Sequence, residues 1–245
     1  MDKVRLEILD CLINRTDYEE LLLNIKYALE NKKQITITGA NVSTINLSIK
    51  DDVLKKILEQ IDIVHPDGIG VYLASRFLYR EKGFNKRITG SDFYVELIKY
   101  SLKNNLSFFF FGDTEETLLK ISQNKPDLIT KGFCNGFDFD NNELVKRINN
   151  SDADILIVGM GSPKQENWII NNKEKIQTKV IIAVGEGIRV FAGTKKRGMK
   201  LVQTLGFEWL VRLVNEPKRL WKRYLVGNPL FVIRIFKYKL SQRGN

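Results

Sequence analysis

The chain has 245 residues, and 43% of them are hydrophobic, which is enough for one large domain with a substantial core. A single histidine and two cysteines cannot assemble a typical zinc site. Cys11 and Cys134 are far apart in sequence, and without a secretory signal pattern they are predicted to be reduced thiols of a cytoplasmic protein. No apolar run reaches the roughly 18 residues of a membrane-spanning helix.

The positive charge is concentrated at the C-terminal end of the chain. The sequence contains 39 Lys and Arg against 29 Asp and Glu, a formal net charge of +10. Residues 195–245 contain 13 of the basic residues and only two acidic ones, so residues 1–194 are close to neutral. Such a local excess indicates an anionic partner, which would be a nucleic acid, a membrane surface or a polyphosphate ligand.

Short β-type runs alternate with helical segments along residues 1–194. This alternation predicts an α/β fold with a mainly parallel sheet and helices on both faces. The predicted strands are Val4–Ile8, Gln34–Thr38, Ile61–Val64, Ser107–Phe111, Leu128–Gly132, Ile155–Met160 and Val180–Val184. The predicted helices are Tyr18–Leu29, Asp51–Leu58, Ser91–Leu102, Thr114–Ser122, Asn142–Ile148 and Lys164–Ile176.

After Gly193 the pattern changes to basic amphipathic segments. Leu201–Val214 is amphipathic, and a basic helix begins at Pro217. A last segment of apolar and basic residues follows this helix. The sequence therefore predicts an α/β domain of residues 1–194 and a basic helical appendage of residues 195–245.

A glycine turn follows one of the predicted strands. The strand ends at Gly159 and Gly161, and Ser162 and Pro163 are typical of a helix start, with Ser as the cap and Pro at the first helical position. Glycines there let backbone N–H groups approach an anion at the helix N-terminus. The alternative is an ordinary tight turn with a solvated first helical turn.

Three polar side chains follow other predicted strands or precede helices. Asp67 lies in a Pro-Asp-Gly turn at a strand end. Its carboxylate would act there as a general base, or Asp67 would serve only as a turn-forming residue. Asn41 follows a strand, where it would bind a sugar hydroxyl or cap the next helix. Arg87 precedes a helix and would bind phosphate or lie on the surface.

Two Asp-x-Asp pairs fit a pattern with which many sugar transferases hold a divalent metal. Asp138 and Asp140 precede a predicted helix, and Asp152 and Asp154 precede a predicted strand. Helix capping and loop solvation explain both pairs, so we expect no metal site.

The C-terminal segment combines tryptophans with many cations. Trp209 and Trp221 lie within residues 207–223, and Phe231–Leu240 alternates apolar side chains with Arg and Lys. This mixture suits a helix at a membrane interface better than a free surface. Each Lys or Arg near an anionic membrane contributes roughly 1 kcal/mol, so several would hold the protein there reversibly.

These features belong to a larger set of motifs that runs along nearly the whole chain. The set is Asn41 with Thr44, Pro66-Asp67-Gly68-Ile69-Gly70-Val71, Gly90-Ser91-Asp92, Phe110-Phe111-Gly112, Gly159 through Glu166, Ala192-Gly193, Glu208-Trp209 through Arg212, Glu216-Pro217 and Arg219. In this order it resembles the WecG/TagA/CpsF family of bacterial glycosyltransferases.

The resemblance implies a Rossmann-like, inverting transferase that uses no metal or other cofactor. It would move a sugar from a UDP-sugar to a lipid diphosphate-linked saccharide in cell-surface polysaccharide synthesis, and in the best-understood members that sugar is N-acetylmannosamine. The C-terminal appendage would bind the anionic inner face of the bacterial membrane and complete the active site. No nucleic acid is implied as a partner, and a homo-oligomer is compatible with the resemblance.

The resemblance also assigns roles to the candidate residues. Asp67 matches the residue proposed as the base for the acceptor hydroxyl, and Asn41 and Gln165 match pocket positions that orient donor or acceptor. Positive charge would stabilise the departing diphosphate where no metal does so. The substrate-binding candidates are Arg87, the turn glycines Gly159 and Gly161, and the appendage arginines Arg212, Arg219 and Arg223.

Several positions depart from the family pattern near the expected donor pocket. Gly39 replaces a frequent hydroxyl residue, Phe137 a common Tyr, and Arg189 an acid, while Lys196-Arg197-Gly198 lacks the usual Arg-Ala-Pro. The donor sugar is therefore not fixed by the resemblance. Arg189 suggests the hypothesis that the enzyme favours an acidic sugar.

Two other classes of protein compete with the transferase. The first is a Rossmann-like protein that binds adenosylmethionine or RNA. In that class the Gly-x-Gly motif follows the first strand, and an acid lies about 20 residues further on. In this chain the motif follows a late strand, and no such acid is evident. The second is a non-catalytic scaffold at the membrane, in which Asp67 would serve only as a turn residue.

Overall fold

The computed structural model of the protein describes residues 4–195 and 206–242. The strands are β1 (Arg5–Ile8), β2 (Cys11–Asn14), β3 (Ile35–Ala40), β4 (Ile63–Pro66), β5 (Phe108–Gly112), β6 (Thr130–Cys134), β7 (Ile155–Gly159) and β8 (Val180–Ala183). In this part of the chain, β3 to β8 form one parallel sheet in the order β4-β3-β8-β7-β5-β6. The α/β prediction with a mainly parallel sheet is confirmed.

Helices connect the strands and continue to the C-terminal segment. They are α1 (Tyr18–Glu30), α2 (Val42–Ser48), α3 (Asp52–Gln60), α4 (Ile69–Tyr79), α5 (Gly90–Asn104), α6 (Glu115–Asn124), α7 (Asn141–Ser151), α8 (Lys164–Asn172), α9 (Ile188–Phe191), α10 (Glu208–Asn215), α11 (Pro217–Trp221) and α12 (Gly227–Ser241). A π-helical turn, Lys222–Val226, joins α11 to α12.

The core lies on both faces of the sheet because helices cover both faces. Residues of α2, α3, α4, α7, α8 and α12 pack into one hydrophobic cluster, and those of α1, α5, α6 and α9 into the other. Strand β5 shows the alternation: Phe109 and Phe111 belong to the first cluster, whereas Phe108 and Phe110 belong to the second. A strand that is buried on both faces is apolar throughout, which explains the run of four phenylalanines.

The structure corrects several predicted elements. The first predicted strand pairs with the unpredicted β2 as an antiparallel hairpin outside the main sheet. Helix α4 was also missed because its sequence is largely apolar and lacks a clear polar face, as expected for a helix that packs against other helices. Edge strand β6 begins two residues later than the predicted Leu128. The predicted start at Leu201 and the segment 196–198 lie outside the described residues.

The C-terminal helix packs directly on the α/β body. Helix α12 contacts α2 and α4, and its Phe231 and Ile235 are buried in the first cluster. Arg234 donates to the side-chain oxygen of Asn46 at 2.7 Å, and Asn46 donates to the carbonyl of Gly227 at 2.8 Å. The described part of the predicted appendage therefore shares the core of the body.

Candidate active site

A cleft of about 660 Å³ opens at the carboxyl ends of the parallel strands. Ligands of open α/β sheets bind at this edge. The turns after β3, β4, β7 and β8 form one wall of the cleft, and residues of α10, α12 and the π-helical turn form the other. The sheet edge and the basic C-terminal segment therefore share one cavity.

Asp67 and Asn41 meet inside this cleft. The Asp67 backbone N–H donates to the carbonyl of Ala40, and one carboxylate oxygen accepts from the N–H of Gly90 at 2.8 Å. The other carboxylate oxygen lies 3.5 Å from the side-chain nitrogen of Asn41. Asn41 also caps α2, since its oxygen accepts from the N–H groups of Ser43 and Thr44. Capping, the alternative for Asn41, is thus observed together with its contact to Asp67.

Gln165 braces two turns at the floor of the cleft. Its side-chain oxygen accepts from Gly161 at 3.2 Å and from Gly185 at 2.8 Å, so it ties the turn after β7 to the turn after β8. Its nitrogen donates to Glu166 at 2.8 Å, and Thr38 donates to the same Glu166 oxygen. Glu166 is fully buried, not at a solvated rim as its place in the first helical turn suggested.

The glycine turn differs from its prediction in two ways. Ser162 does not cap the helix and Pro163 is not its first helical residue, because α8 begins at Lys164 with Pro163 as the N-cap residue and no side-chain cap. Gly161 lines the cleft with a φ of +79°, but Gly159 does not line it. A Cβ atom on Gly159 would lie 2.9 Å from Ile188, so this glycine permits close packing beneath the cleft.

Arginines face the cleft from both sides. Arg87, Arg212 and Arg223 line it, whereas Arg219 lies just outside. Arg223 donates to the side-chain oxygen of Asn41 at 3.2 Å, which links the C-terminal segment to the residues around Asp67. The structure therefore brings three of the four predicted arginines to the cavity.

Glu186, which the sequence did not single out, holds two of these arginines. Its carboxylate forms ion pairs with Arg212 and with Arg219, and Arg219 also pairs with Glu216 at 2.8 Å. Burial alone would raise the pKa of Glu186, but the two guanidinium groups hold it below the ordinary value. The only sequence signal was an acid in the glycine turn after a buried strand.

Lys195 is a further cation of the cleft that the sequence did not single out. Its ammonium group donates to the hydroxyl of Ser91 at 2.6 Å, at the start of α5. Burial, together with the positive charge of Arg212, lowers its pKa.

His65 and Gly39 fit together under Asp67. His65 is fully buried, and its Nδ1 lies 3.0 Å from the carbonyl of Pro66. Burial lowers its pKa, which favours the neutral ring. A Cβ atom on Gly39 would lie 2.8 Å from this ring, so the imidazole occupies the space that a hydroxyl residue at position 39 would need.

Arg189 does not reach the cleft. Its guanidinium donates to Asp113 at 2.8 Å, at the end of β5. Burial would raise the pKa of Asp113, but the hydrogen bonds from Arg189, Thr114 and Thr117, together with the charge of Arg189, hold it below its ordinary value. Because this cation is already paired outside the cavity, the structure does not support the hypothesis that Arg189 selects an acidic sugar.

Two aspartates of the Asp-x-Asp pairs have structural roles, and for Asp140 this role is the expected helix capping. Asp140 caps α7 through the N–H of Glu143 at 2.8 Å, and Asp154 accepts from the N–H and hydroxyl of Ser107. Within residues 4–195 and 206–242, no three His, Cys, Asp or Glu side chains cluster as metal ligands do.

Comparisons with known proteins identify the family. The family model described as "Glycosyl transferase WecG/TagA/CpsF family" matches residues 6–245. The chain belongs to this family. Its relatives include proteins of Staphylococcus aureus strains MRSA252 and MW2, each described as N-acetylglucosaminyldiphosphoundecaprenol N-acetyl-beta-D-mannosaminyltransferase. Each is 29% identical over 241 residues, which cover 96% of this chain and 93% of the relative.

Membership in the WecG/TagA/CpsF family makes the protein a glycosyltransferase, and specifically a hexosyltransferase. It decides against the adenosylmethionine, RNA-binding and scaffold interpretations. The cleft that joins Asp67 to the arginines is then the candidate active site of this transferase.

The C-terminal helices of this transferase expose apolar and basic side chains together. Trp221, Leu225, Ile233 and Leu240 are exposed, and the exposed residues Lys222 and Lys237 lie among them in the sequence. None of the helices in the described segments is both long and apolar enough to cross a membrane.

Proposed function

We propose that the protein transfers a hexose from a UDP-sugar to a lipid diphosphate-linked saccharide, with inversion and without a metal, in cell-surface polysaccharide synthesis. N-acetylmannosamine is the first donor sugar to test, because the relatives' names specify that sugar and a diphosphoundecaprenol-linked acceptor. One observation supports this most directly: a carboxylate at a strand end and a group of arginines line the same cleft.

Asp67 is the proposed base for the acceptor hydroxyl. Inverting transfer needs one base that removes a proton as the hydroxyl attacks the anomeric carbon. The Gly90 N–H fixes one oxygen of the carboxylate, and the 3.5 Å contact with Asn41 leaves the other oxygen with spare acceptor capacity. Asn41 is proposed to orient the substrate beside this oxygen.

The arginines are proposed to stabilise the departing UDP. Negative charge grows on the diphosphate as the sugar leaves, and fixed cations in a partly closed cleft stabilise it without rearranging. Arg212 and Arg223 line the cleft, and Arg219 is joined to Arg212 through Glu186. Arg87 adds a cation from the opposite wall. These groups would do the work that a divalent metal does in other transferases.

The brace formed by Gln165 is proposed to shape the donor site. The side-chain oxygen of Gln165 accepts hydrogen bonds from the N–H groups of Gly161 and Gly185, so loss of Gln165 would let both turns move. We propose that Gln165 orients the donor by fixing these turns, and that Gly161 lies near the nucleotide. Gly159 is proposed to contribute only indirectly, because it permits close packing beneath the cleft and does not line it.

The basic helices are proposed to bind the inner face of the bacterial membrane as a peripheral appendage. A lipid-linked acceptor remains in the membrane, so the enzyme must work at its surface. Exposed cations next to exposed apolar residues suit an anionic interface. Residues 195–245 are proposed as the membrane-binding part of the enzyme and residues 1–194 as its catalytic domain.

The test is UDP release by the purified full-length protein. The assay offers a panel of UDP-sugars, a lipid diphosphate-linked amino sugar and EDTA, and the product's anomeric configuration is read by NMR. We expect acceptor-dependent release in EDTA and an inverted product. Release that needs a divalent metal, or a retained configuration, would contradict the mechanism, and silence with every UDP-sugar would contradict the proposed donor class.

A further inference from the structure

One end of the cleft is apolar, in contrast to the end that holds Asp67. Leu73 and Phe77 of α4 and Val232 and Phe236 of α12 line this end. They are 56%, 43%, 50% and 53% exposed, so the walls are open to solvent. The rings of Phe77 and Phe236 meet edge to face at 4.9 Å between centroids, where the two walls touch.

These four residues form a groove, not a scattered set. Each pair is four residues apart on its helix, so both members lie on the same side of that helix. Behind the groove, Phe231 and Ile235 are buried in the core, which fixes α12 in place. The groove therefore has a defined shape before any ligand binds.

The groove continues into the part of the cleft that carries the catalytic candidates. Asp67, Arg223 and Val232 line one cavity. A ligand that fits the whole cavity would have a polar, anionic part and an apolar tail.

We propose that the groove between α4 and α12 binds the first isoprene units of the lipid acceptor. This inference rests on the proposed function, because it places the saccharide of that acceptor at Asp67. The isoprene chain then leaves the cleft along the groove, and the acceptor's diphosphate lies between the saccharide and this chain. Burial of apolar carbon against the groove adds affinity for each isoprene unit that fits.

Helix α12 offers a matched pair of substitutions. Val232 and Ile233 are neighbouring β-branched residues with exposures of 50% and 52%, but only Val232 lines the cleft. Val232→Ser and Ile233→Ser therefore change the helix propensity and the surface polarity by similar amounts. Phe236→Ser is a second groove variant.

The experiment measures binding without turnover. Farnesyl diphosphate and inorganic diphosphate are titrated by calorimetry into the full-length protein, without membranes and below the micelle concentration. We expect wild type and Ile233→Ser to bind farnesyl diphosphate at least tenfold more tightly than inorganic diphosphate. This ratio should fall to about threefold or less in Val232→Ser and Phe236→Ser.

Three results would overturn the proposal that the groove binds the isoprene chain. The first is equal affinity of wild type for the two compounds, and the second is equal loss in Val232→Ser and Ile233→Ser, which would indicate a general bilayer-facing surface. The third is a smaller assembly of Val232→Ser in sedimentation, which would indicate contact with a second copy of the chain. A transfer assay on the same samples separates the two ideas, because tail-dependent binding without transfer would refute the proposed function alone.

Discussion

Among individual side chains, Glu186 determines how the C-terminal arginines meet the cleft. It pairs with Arg212 on the cleft wall and with Arg219 outside it. We expect Glu186→Gln to lower kcat/KM for the donor about tenfold, since a neutral amide no longer fixes both guanidinium groups. Glu216→Gln is the matched control, because Glu216 contacts Arg219 away from the cleft. Equal donor kinetics in both variants would contradict this role.

The same ion pairs predict how stability depends on pH. A carboxyl whose folded-state pKa lies below its ordinary value stabilises the fold above that ordinary value and loses the contribution as pH falls. We therefore expect the unfolding free-energy difference between wild type and Glu186→Gln to be constant near neutrality. It should shrink as pH falls below 4.5, the ordinary value for Glu. Urea unfolding from pH 7 to 3 measures it, and a difference that grows on acidification would refute the assignment.

Arg189, in contrast to Glu186, is predicted to have no part in donor specificity. Its guanidinium pairs with Asp113 and lies away from the cleft. Arg189→Gln should leave the order of donor preference unchanged and cost about 1 kcal/mol or less, because the arginine is partly exposed. Rates with a panel of neutral and acidic UDP-sugars check this, with Arg212→Gln as the variant expected to lose activity. A changed preference in Arg189→Gln would restore the acidic-sugar hypothesis.

At the level of helices, the docking of α12 joins the basic segment to the active site. Phe231 is 3% exposed within the core cluster. Phe231→Ala should lower the free energy of unfolding by about 3 kcal/mol, since it leaves a cavity. Ile233→Ala, on the exposed side of the same helix, should change it by less than about 0.5 kcal/mol. Equal denaturation midpoints for Phe231→Ala and wild type would mean that α12 is not docked in solution.

Sequence patterns identified the elements whose periodicity is strong and missed those set by tertiary packing. The buried strand β7 is apolar and ends in glycine, so it was predicted closely. Helix α4 was missed because its sequence is largely apolar, and its contact with α12 is one that no local pattern contains. Asp67 was predictable from its turn, whereas Glu186 was not, because its role depends on two arginines that the fold brings from the C-terminal segment.

For the whole molecule, the charge distribution predicts how the enzyme meets a membrane. Lys222 and Lys237 are exposed on the C-terminal helices. Replacing both with Gln should lower partitioning onto anionic vesicles by about tenfold or more, at roughly 1 kcal/mol for each lysine. The control replaces Lys32 and Lys33, exposed lysines just after α1, with Gln. Vesicle sedimentation at low and high salt measures both, and equal losses would contradict a C-terminal membrane face.

The proposed metal-free transfer depends on Asp67 as the base. The most direct measurement is the single-turnover transfer rate of Asp67→Asn in EDTA, next to Asp113→Asn, which alters a carboxylate at another strand end. We predict a loss of about 10²- to 10⁴-fold for Asp67→Asn, with donor affinity unchanged, and little loss for Asp113→Asn. A rate for Asp67→Asn within about threefold of wild type would contradict the account.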